Sequence, residues 1–535
     1  MQAQSQQRSI VYAADPHDLS VTIYRDPDRD EYGELEEDDP GGFAMISETR
    51  MVTLPAGEST IRFDGVAEGM VGVSAIVTGL PGGTIEKNRN AELLSPAALV
   101  NGTLGNRVMI TRTNPATGET VSENAIVRTR ADGGLVLQNG DGFEAVRCAG
   151  VPETLGFDRV PDGLSAKPVF SIDTRDESGG TYQVTLTYLS WGFDWQANYV
   201  ATLSEEGGSV EFDMGVLSWL TVLNDNGQSF DNAQLLVVAG TLNVVSDYED
   251  LADPPTGEAL SLTCYPIGST AAGSPIVYPA EPWGSGQNAL PTPQAFDSNI
   301  ITVRAQRRGN SVQDVSAAVE ALSSEVLEAR EEQLGDLKLY RVPERVTVSA
   351  QGIKQVAFLN RNNVEAGFFY ELNCSAGLIR RRNSSTNPSP TDIYLHTEND
   401  EEHGLGVALP QGPFILFEHG RLGPMLVGQN ALRDYAMGQE VELQVGQSQH
   451  VFGRCAPRSE KNFDERYDNW NRIEADLTNS NDHDVLVRVD LGRSGDWDIR
   501  WSYGETEIKD GRIIAELILP ARADWQLQWD VRHPS

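Results

Sequence analysis

The sequence predicts a mainly β protein: serial β-sandwich, immunoglobulin-like modules, a small β-barrel-like module near the N-terminus, and one helix around 312–334. Three observations predict it. Bulky side chains recur at every second position over long stretches. Val184, Leu186 and Tyr188 alternate with Thr185 and Thr187, and beyond Trp191–Gly192 the residues Trp195, Ala197, Tyr199, Ala201 and Leu203 again share a face. A half-buried antiparallel strand needs that period of two. Glycine (51) and proline (27) punctuate the chain into short runs, as turns between strands require. Helical spacing of apolar residues is sustained in one place only, at Val315, Ala318, Val319, Leu322, Val326 and Leu327, with Gly335 as a stop signal.

Residues 8–96 read as an N-terminal β domain with strands in HDLSVTIYR, TRMVTLPAG and STIRFDGV, interrupted by the acidic loop DPDRDEYGELEEDDPGG. In 97–160 the runs RVMITRT, NAIVRTR, GLVLQN and EAVRCAG are separated by Gly/Asn/Asp turns, the layout of a small barrel or a hairpin stack. Residues 168–250 are the aromatic sandwich region. Residues 251–300 are rich in Pro, Gly, Ser and Ala, which marks a linker or insertion loop. A strand and the helix follow in 301–335. Residues 336–475 form a central β domain. In 476–535 Val485, Val487 and Val489, then Trp497, Ile499 and Trp501, then Trp525, Leu527, Trp529 and Val531 alternate as in an immunoglobulin-like sandwich.

At 535 residues the chain has room for several domains. With 41 basic against 78 acidic residues its formal charge is −37. That excess repels phosphate backbones and anionic lipid surfaces, which excludes nucleic acid as a partner class. No run of about 20 apolar residues is present, so no transmembrane helix is expected. The opening MQAQSQQRSIVYAADP lacks the basic-then-apolar layout of a signal peptide. It fits a cytosolic chain, or a mature exported chain whose signal has been removed; the Gln/Ser-rich start favours the second. Cys148, Cys264, Cys374 and Cys455 form no CxxC pair and fit two disulfides in an oxidising compartment. Four cysteines allow three pairings, which spacing does not choose between. The pairing carried forward is Cys148 with Cys264 and Cys374 with Cys455.

Motifs for catalysis are missing: no G-x-S-x-G elbow, H-E-x-x-H or Walker loop occurs, and no catalytic or cofactor-binding residue is assigned. Asp26, Asp28 and Asp30 stand at alternate positions of the acidic loop, with Glu37 further on, and offer carboxylates to calcium. Glu31 stands where an EF-hand needs glycine, so the calcium site expected there is a looser one. His396 and His403 bracket Glu398, Asp400, Glu401 and Glu402, a set of nitrogen and oxygen donors for which a polar loop between strands is the plainer account. Trp191, Trp195, Tyr199 and Trp219 are read as sandwich core rather than a carbohydrate surface.

The segments YLSWGFDWQANYVATL, LTVLNDNGQSFDNAQLLVVAG, LGDLKLYRVPERVTVSAQGIKQVAFL, GLGVALPQGPFILFEHG and GQEVELQVG together carry a likeness over roughly residues 168–530. On these the chain resembles the bacterial domain-of-unknown-function family typified by mucoidy-inhibitor-like envelope proteins. The resemblance implies a mostly β fold, export across the inner membrane and no established enzymatic activity. The long central coiled coil of that type is lacking here. The expected function is a non-catalytic exported component of the bacterial cell envelope or surface, periplasmic or extracellular. Its partners would be envelope or surface proteins, or further copies of itself as a homo-oligomer. The alternative is a carboxylate-dependent hydrolase acting on envelope polysaccharide or peptide.

Overall fold

The computed structural model of the chain describes residues 8–90, 94–114, 117–129, 135–140, 142–145, 153–161, 164–203, 210–240, 330–334, 337–377, 387–420, 423–457 and 469–534. It is mainly β, with strands gathered into four sheets of four, five, eight and thirteen strands. Among the described residues, no helix is long and apolar enough to cross a membrane. Two compact units emerge. One draws on Met1–Arg89, Phe170–Pro254 and Ala321–Ser535, the other on Asn90–Val169 and Pro255–Glu320.

The second unit holds the five-stranded sheet and the α-helix Pro96–Gly102. Ser95 caps that helix by accepting the Ala98 N–H at 3.1 Å, and proline stands in its first turn, where no amide hydrogen is needed. The sheet is antiparallel throughout, and its outer strands Gly142–Ala145 and Glu153–Gly156 do not pair with each other. It is therefore an open hairpin stack and not a closed barrel. Val108, Ile110, Ala125, Val127, Leu135 and Leu137 pack its core beneath Ala97 and Val100 of the helix.

The other three sheets make up the first unit. Strands far apart in sequence lie side by side there. Asp18–Tyr24 runs between Phe43–Leu54 and Phe230–Ala239, parallel to the latter. Phe193–Leu203 pairs antiparallel with Glu211–Asn224 and parallel with Gly412–Gly420. The alternation in the aromatic segment has the expected result: Trp195, Ala197, Tyr199, Ala201 and Leu203 are all buried in one core shared by the sheets. Their polar tips are satisfied inside it. Trp195 Nε1 donates to Val238 O at 3.2 Å, and Tyr199 OH donates to Pro410 O at 2.7 Å. A second core, around Val487, Leu491, Leu527 and Trp529, fills the C-terminal sandwich.

The helix expected at 312–334 falls mostly outside the described residues. Its last five, Arg330–Leu334, form a strand that pairs antiparallel with Leu337–Arg341. Cross-strand ion pairs, Glu331 with Lys338 and Glu332 with Arg341, each at 2.7 Å, match the two strands. Pairing of this kind overrides local helix propensity. Cys374 and Cys455 form a disulfide with their Cα atoms 5.5 Å apart, while Cys148 and Cys264 lie outside the described residues.

Candidate functional site

Titratable side chains converge on one face of the thirteen-stranded sheet, along the Ser389–Glu398 strand. Leu395 and Thr397 point into the core, so by alternation Asp392, Tyr394, His396 and Glu398 occupy the other face. Register supplies their neighbours. Gly352–Asn373 sets Glu371 beside Asp392 and Phe369 beside Tyr394. On the other side, Glu440–Pro457 sets Glu442 beside His396 and Glu440 beside Glu398. Val485–Arg493 then brings Arg488 next to Glu371, and Arg512–Leu519 brings Glu516 next to Arg488.

These groups bind one another. Arg488 reaches Glu442 and Glu516, each at 2.8 Å, and lies 3.7 Å from the centroid of the Phe369 ring. Phe369 stacks on Tyr394 with centroids 5.0 Å apart. Lys509, on the short strand Glu507–Lys509, holds Glu440 and Glu442 at 2.5 Å each. Burial works against the Glu442 carboxylate, but hydrogen bonds from Arg488 and Lys509 outweigh it and hold its pKa down at about 2. Glu371 moves the opposite way: burial pushes it up, and Asp490 adds to the push. Burial and the neighbouring Glu371 and Asp392 raise Tyr394 to about 12, and burial keeps His396 below its ordinary value. A raised and a depressed carboxyl on one face are the ingredients of acid–base chemistry. Here the depressed one is already held by two cations.

A consequence for stability follows. Glu442 has a folded pKa below its ordinary 4.5, so its contribution is complete above that value and is lost as pH falls through about 2. Glu442→Gln is expected to cost on the order of 2 kcal/mol at pH 7. The deficit should shrink in urea titrations carried out below pH 4; an equal deficit at pH 7 and pH 3 would contradict this reading.

The acidic loop, where calcium is expected, is braced by its own backbone. Asp26 Oδ1 accepts the Asp28 N–H at 2.8 Å, and Asp30 Oδ1 accepts the Tyr32 N–H at 3.0 Å, so both carboxylates brace their own turns. The loop is anchored by its arginines. Arg25 pairs bidentately with Asp434 at 3.0 and 2.7 Å. Arg29 is buried against Asp194 and donates to Trp195 O at 2.6 Å. Burial raises the Asp194 pKa against the pull of Arg29. Sequence reading missed these anchors, because two arginines among many acids look like incidental charge.

Among the described residues one group of three metal-ligating side chains has all its ligand atoms within 4.8 Å: Glu398, Asp400 and His403. The Asp26, Asp28 and Asp30 carboxylates form no such group. His396, bracketed with His403 in the sequence, packs instead beside Phe369 with ring centroids 5.9 Å apart. His403 Nδ1 lies 2.7 Å from Asp400 Oδ1 and 3.8 Å from Glu398 Oε2. The hydrogen bond to Asp400 raises the imidazole pKa. No family model matches this chain, and no curated protein matches its sequence.

Proposed function

We propose that the chain is a non-catalytic, exported, multi-domain β-protein, a structural or interaction component of the bacterial cell envelope or surface. Its partners are envelope or surface proteins or further copies of itself. The observation that carries the reading is the fate of the converged side chains. Arg488, Lys509, Glu440, Glu442 and Glu516 are consumed in ion pairs that pin strands to one another, which is the work of a scaffold. The Cys374–Cys455 disulfide suits an oxidising compartment. The formal charge of −37 keeps such a chain dispersed and off nucleic acids. The likeness to mucoidy-inhibitor-like envelope proteins points the same way.

Fractionation of the source bacterium, with thiols trapped at lysis, tests the reading. The chain is expected in the periplasmic or surface fraction with Cys374 and Cys455 oxidised. A reduced chain confined to the cytoplasm would remove the proposal. The opposed pKa directions of Glu371 and Glu442 favour the hydrolase as second reading. Turnover of envelope polysaccharide or peptide that is lost in Glu371→Gln, with the fold intact, would put that reading first.

A further inference from the structure

We propose that Glu398, Asp400 and His403 bind a divalent transition-metal cation of the zinc class, independently of the role proposed above. Two carboxylate oxygens and one imidazole nitrogen converge at the end of the Ser389–Glu398 strand and in the turn after it. Zinc holds such atoms at about 2.0–2.2 Å, so two ligand atoms on one tetrahedral ion stand about 3.3–3.6 Å apart. The Nδ1 separations of 2.7 Å from Asp400 and 3.8 Å from Glu398 bracket that spacing. Small side-chain rotations complete the site.

An independent observation asks for a cation at this place. Along the same face Glu440, Glu442 and Glu516 each have a lysine or arginine partner. Among the described residues, Glu398 and Asp400 have only His403. The local negative charge is left for a ligand to balance. Nitrogen in the donor set, and only three protein ligands, argue against calcium, which takes six to eight oxygens.

The backbone holds the donors ready. Asn399, fully buried between Glu398 and Asp400 in the chain, donates through Nδ2 to Val407 O at 2.7 Å and Ala436 O at 3.1 Å. Its N–H donates to Gln439 O at 2.9 Å, and the Leu405 N–H closes the turn onto Asp400 O at 2.9 Å. Gly404 takes φ +92 where a Cβ would collide with Asn363 O, which fixes the path of the chain past His403. The three side chains keep 62%, 34% and 28% of their surface in solvent, so an ion can enter and water can fill the fourth position. The imidazole that binds is the neutral ring with its hydrogen on Nε2, which leaves the Nδ1 lone pair for the metal. No electron transfer is involved.

Calorimetric titration of zinc chloride into the tag-free full chain tests the site. One saturable zinc ion per chain is expected, weakened at least tenfold in His403→Ala and in Asp400→Asn and unchanged in His419→Ala. Glu398→Gln, which alters no backbone bond, gives a second variant should the turn variants unfold; it too is expected to weaken binding. Lack of saturable binding by the native chain up to millimolar zinc overturns the proposal. So does an affinity indifferent to both His403→Ala and Glu398→Gln. A calcium response stronger than the zinc response, and lost in the same variants, would overturn the assignment of metal class.

Discussion

Arg50→Ala is expected to lower the stability of the chain by about 3–5 kcal/mol at pH 7, because it strands a buried carboxylate. Glu48 and Arg50 lie on the inward face of the Phe43–Leu54 strand, both nearly inaccessible to water, with Nη2 3.0 Å from Oε2. They sit opposite Leu186 and Val184 in the neighbouring strand, inside an apolar core. Arg50 also donates to Asp64 O at 2.9 Å. Burial raises the Glu48 pKa, and the charge and hydrogen bond of Arg50 pull it back. Removing the arginine releases that restraint. A carboxyl whose folded pKa exceeds its unfolded value binds a proton on folding, so stability is greatest below the unfolded value and is lost as pH rises through the folded one. The Arg50→Ala deficit should therefore be smaller at pH 5 than at pH 7 in urea unfolding curves. A paired replacement by Glu48→Leu and Arg50→Met, apolar and similar in volume, is expected to recover most of the loss. A deficit below about 1 kcal/mol, or one that grows toward acid pH, would show that the pair is not the isolated buried charge system described.

The same two residues mark where sequence reading stops. In TRMVTLPAG the strand is evident, but it begins earlier, at Phe43, and Glu48 and Arg50 share its buried face with Ile46 and Val52, where binary patterning leads one to expect apolar side chains. Each charge is tolerable only because the other is there, and that contact is made on folding. Alternation in YQVTLTY and in FDWQANYVATL was legible because period two is a local property of a chain with one wet face. In 97–160 the short strands were legible for the same reason, but whether they close into the expected barrel was not, because closure depends on whether the edge strands Gly142–Ala145 and Glu153–Gly156 meet, and they do not. Register was not: the parallel pairing of Phe193–Leu203 with Gly412–Gly420 joins segments about two hundred residues apart. The polar face suffers likewise. Glu371, His396, Glu442, Arg488, Lys509 and Glu516 come from six strands and have no sequence spacing to detect. Glu398, Asp400 and His403 were visible as a donor set only because one strand end and one turn supply all three.

Asn224→Ala is expected to cost about 3–5 kcal/mol, and Asn224→Asp at least as much. In the sequence NDNGQS looks like an ordinary Asn-Gly hairpin turn. In the fold it is a corner: Glu211–Asn224 belongs to the thirteen-stranded sheet, and the chain leaves it to enter the eight-stranded sheet as Phe230–Ala239. A strand that changes sheets leaves ladder groups without partners, and Asn224, fully buried, meets three of them. Its Nδ2 donates to Gln228 O at 2.9 Å and Ser349 O at 3.0 Å, and its Oδ1 accepts the Asn226 N–H at 3.1 Å. Alanine abandons all three groups in a buried place, at about 1–3 kcal/mol each before relaxation or water entry. Aspartate keeps the acceptor but turns an oxygen toward two carbonyls, so near-identity of shape gives no protection. A buried asparagine also ends the Asn471–Asn479 strand, here without a change of sheet: Asn479 donates to His483 O at 2.9 Å, Leu519 O at 3.2 Å and Pro520 O at 3.0 Å, and accepts the Asn481 N–H at 2.9 Å. Denaturant unfolding of Asn224→Ala, Asn224→Asp and Asn479→Ala compares the two asparagines directly. If aspartate proved milder than alanine at Asn224, the two donated hydrogen bonds would not be what holds that corner.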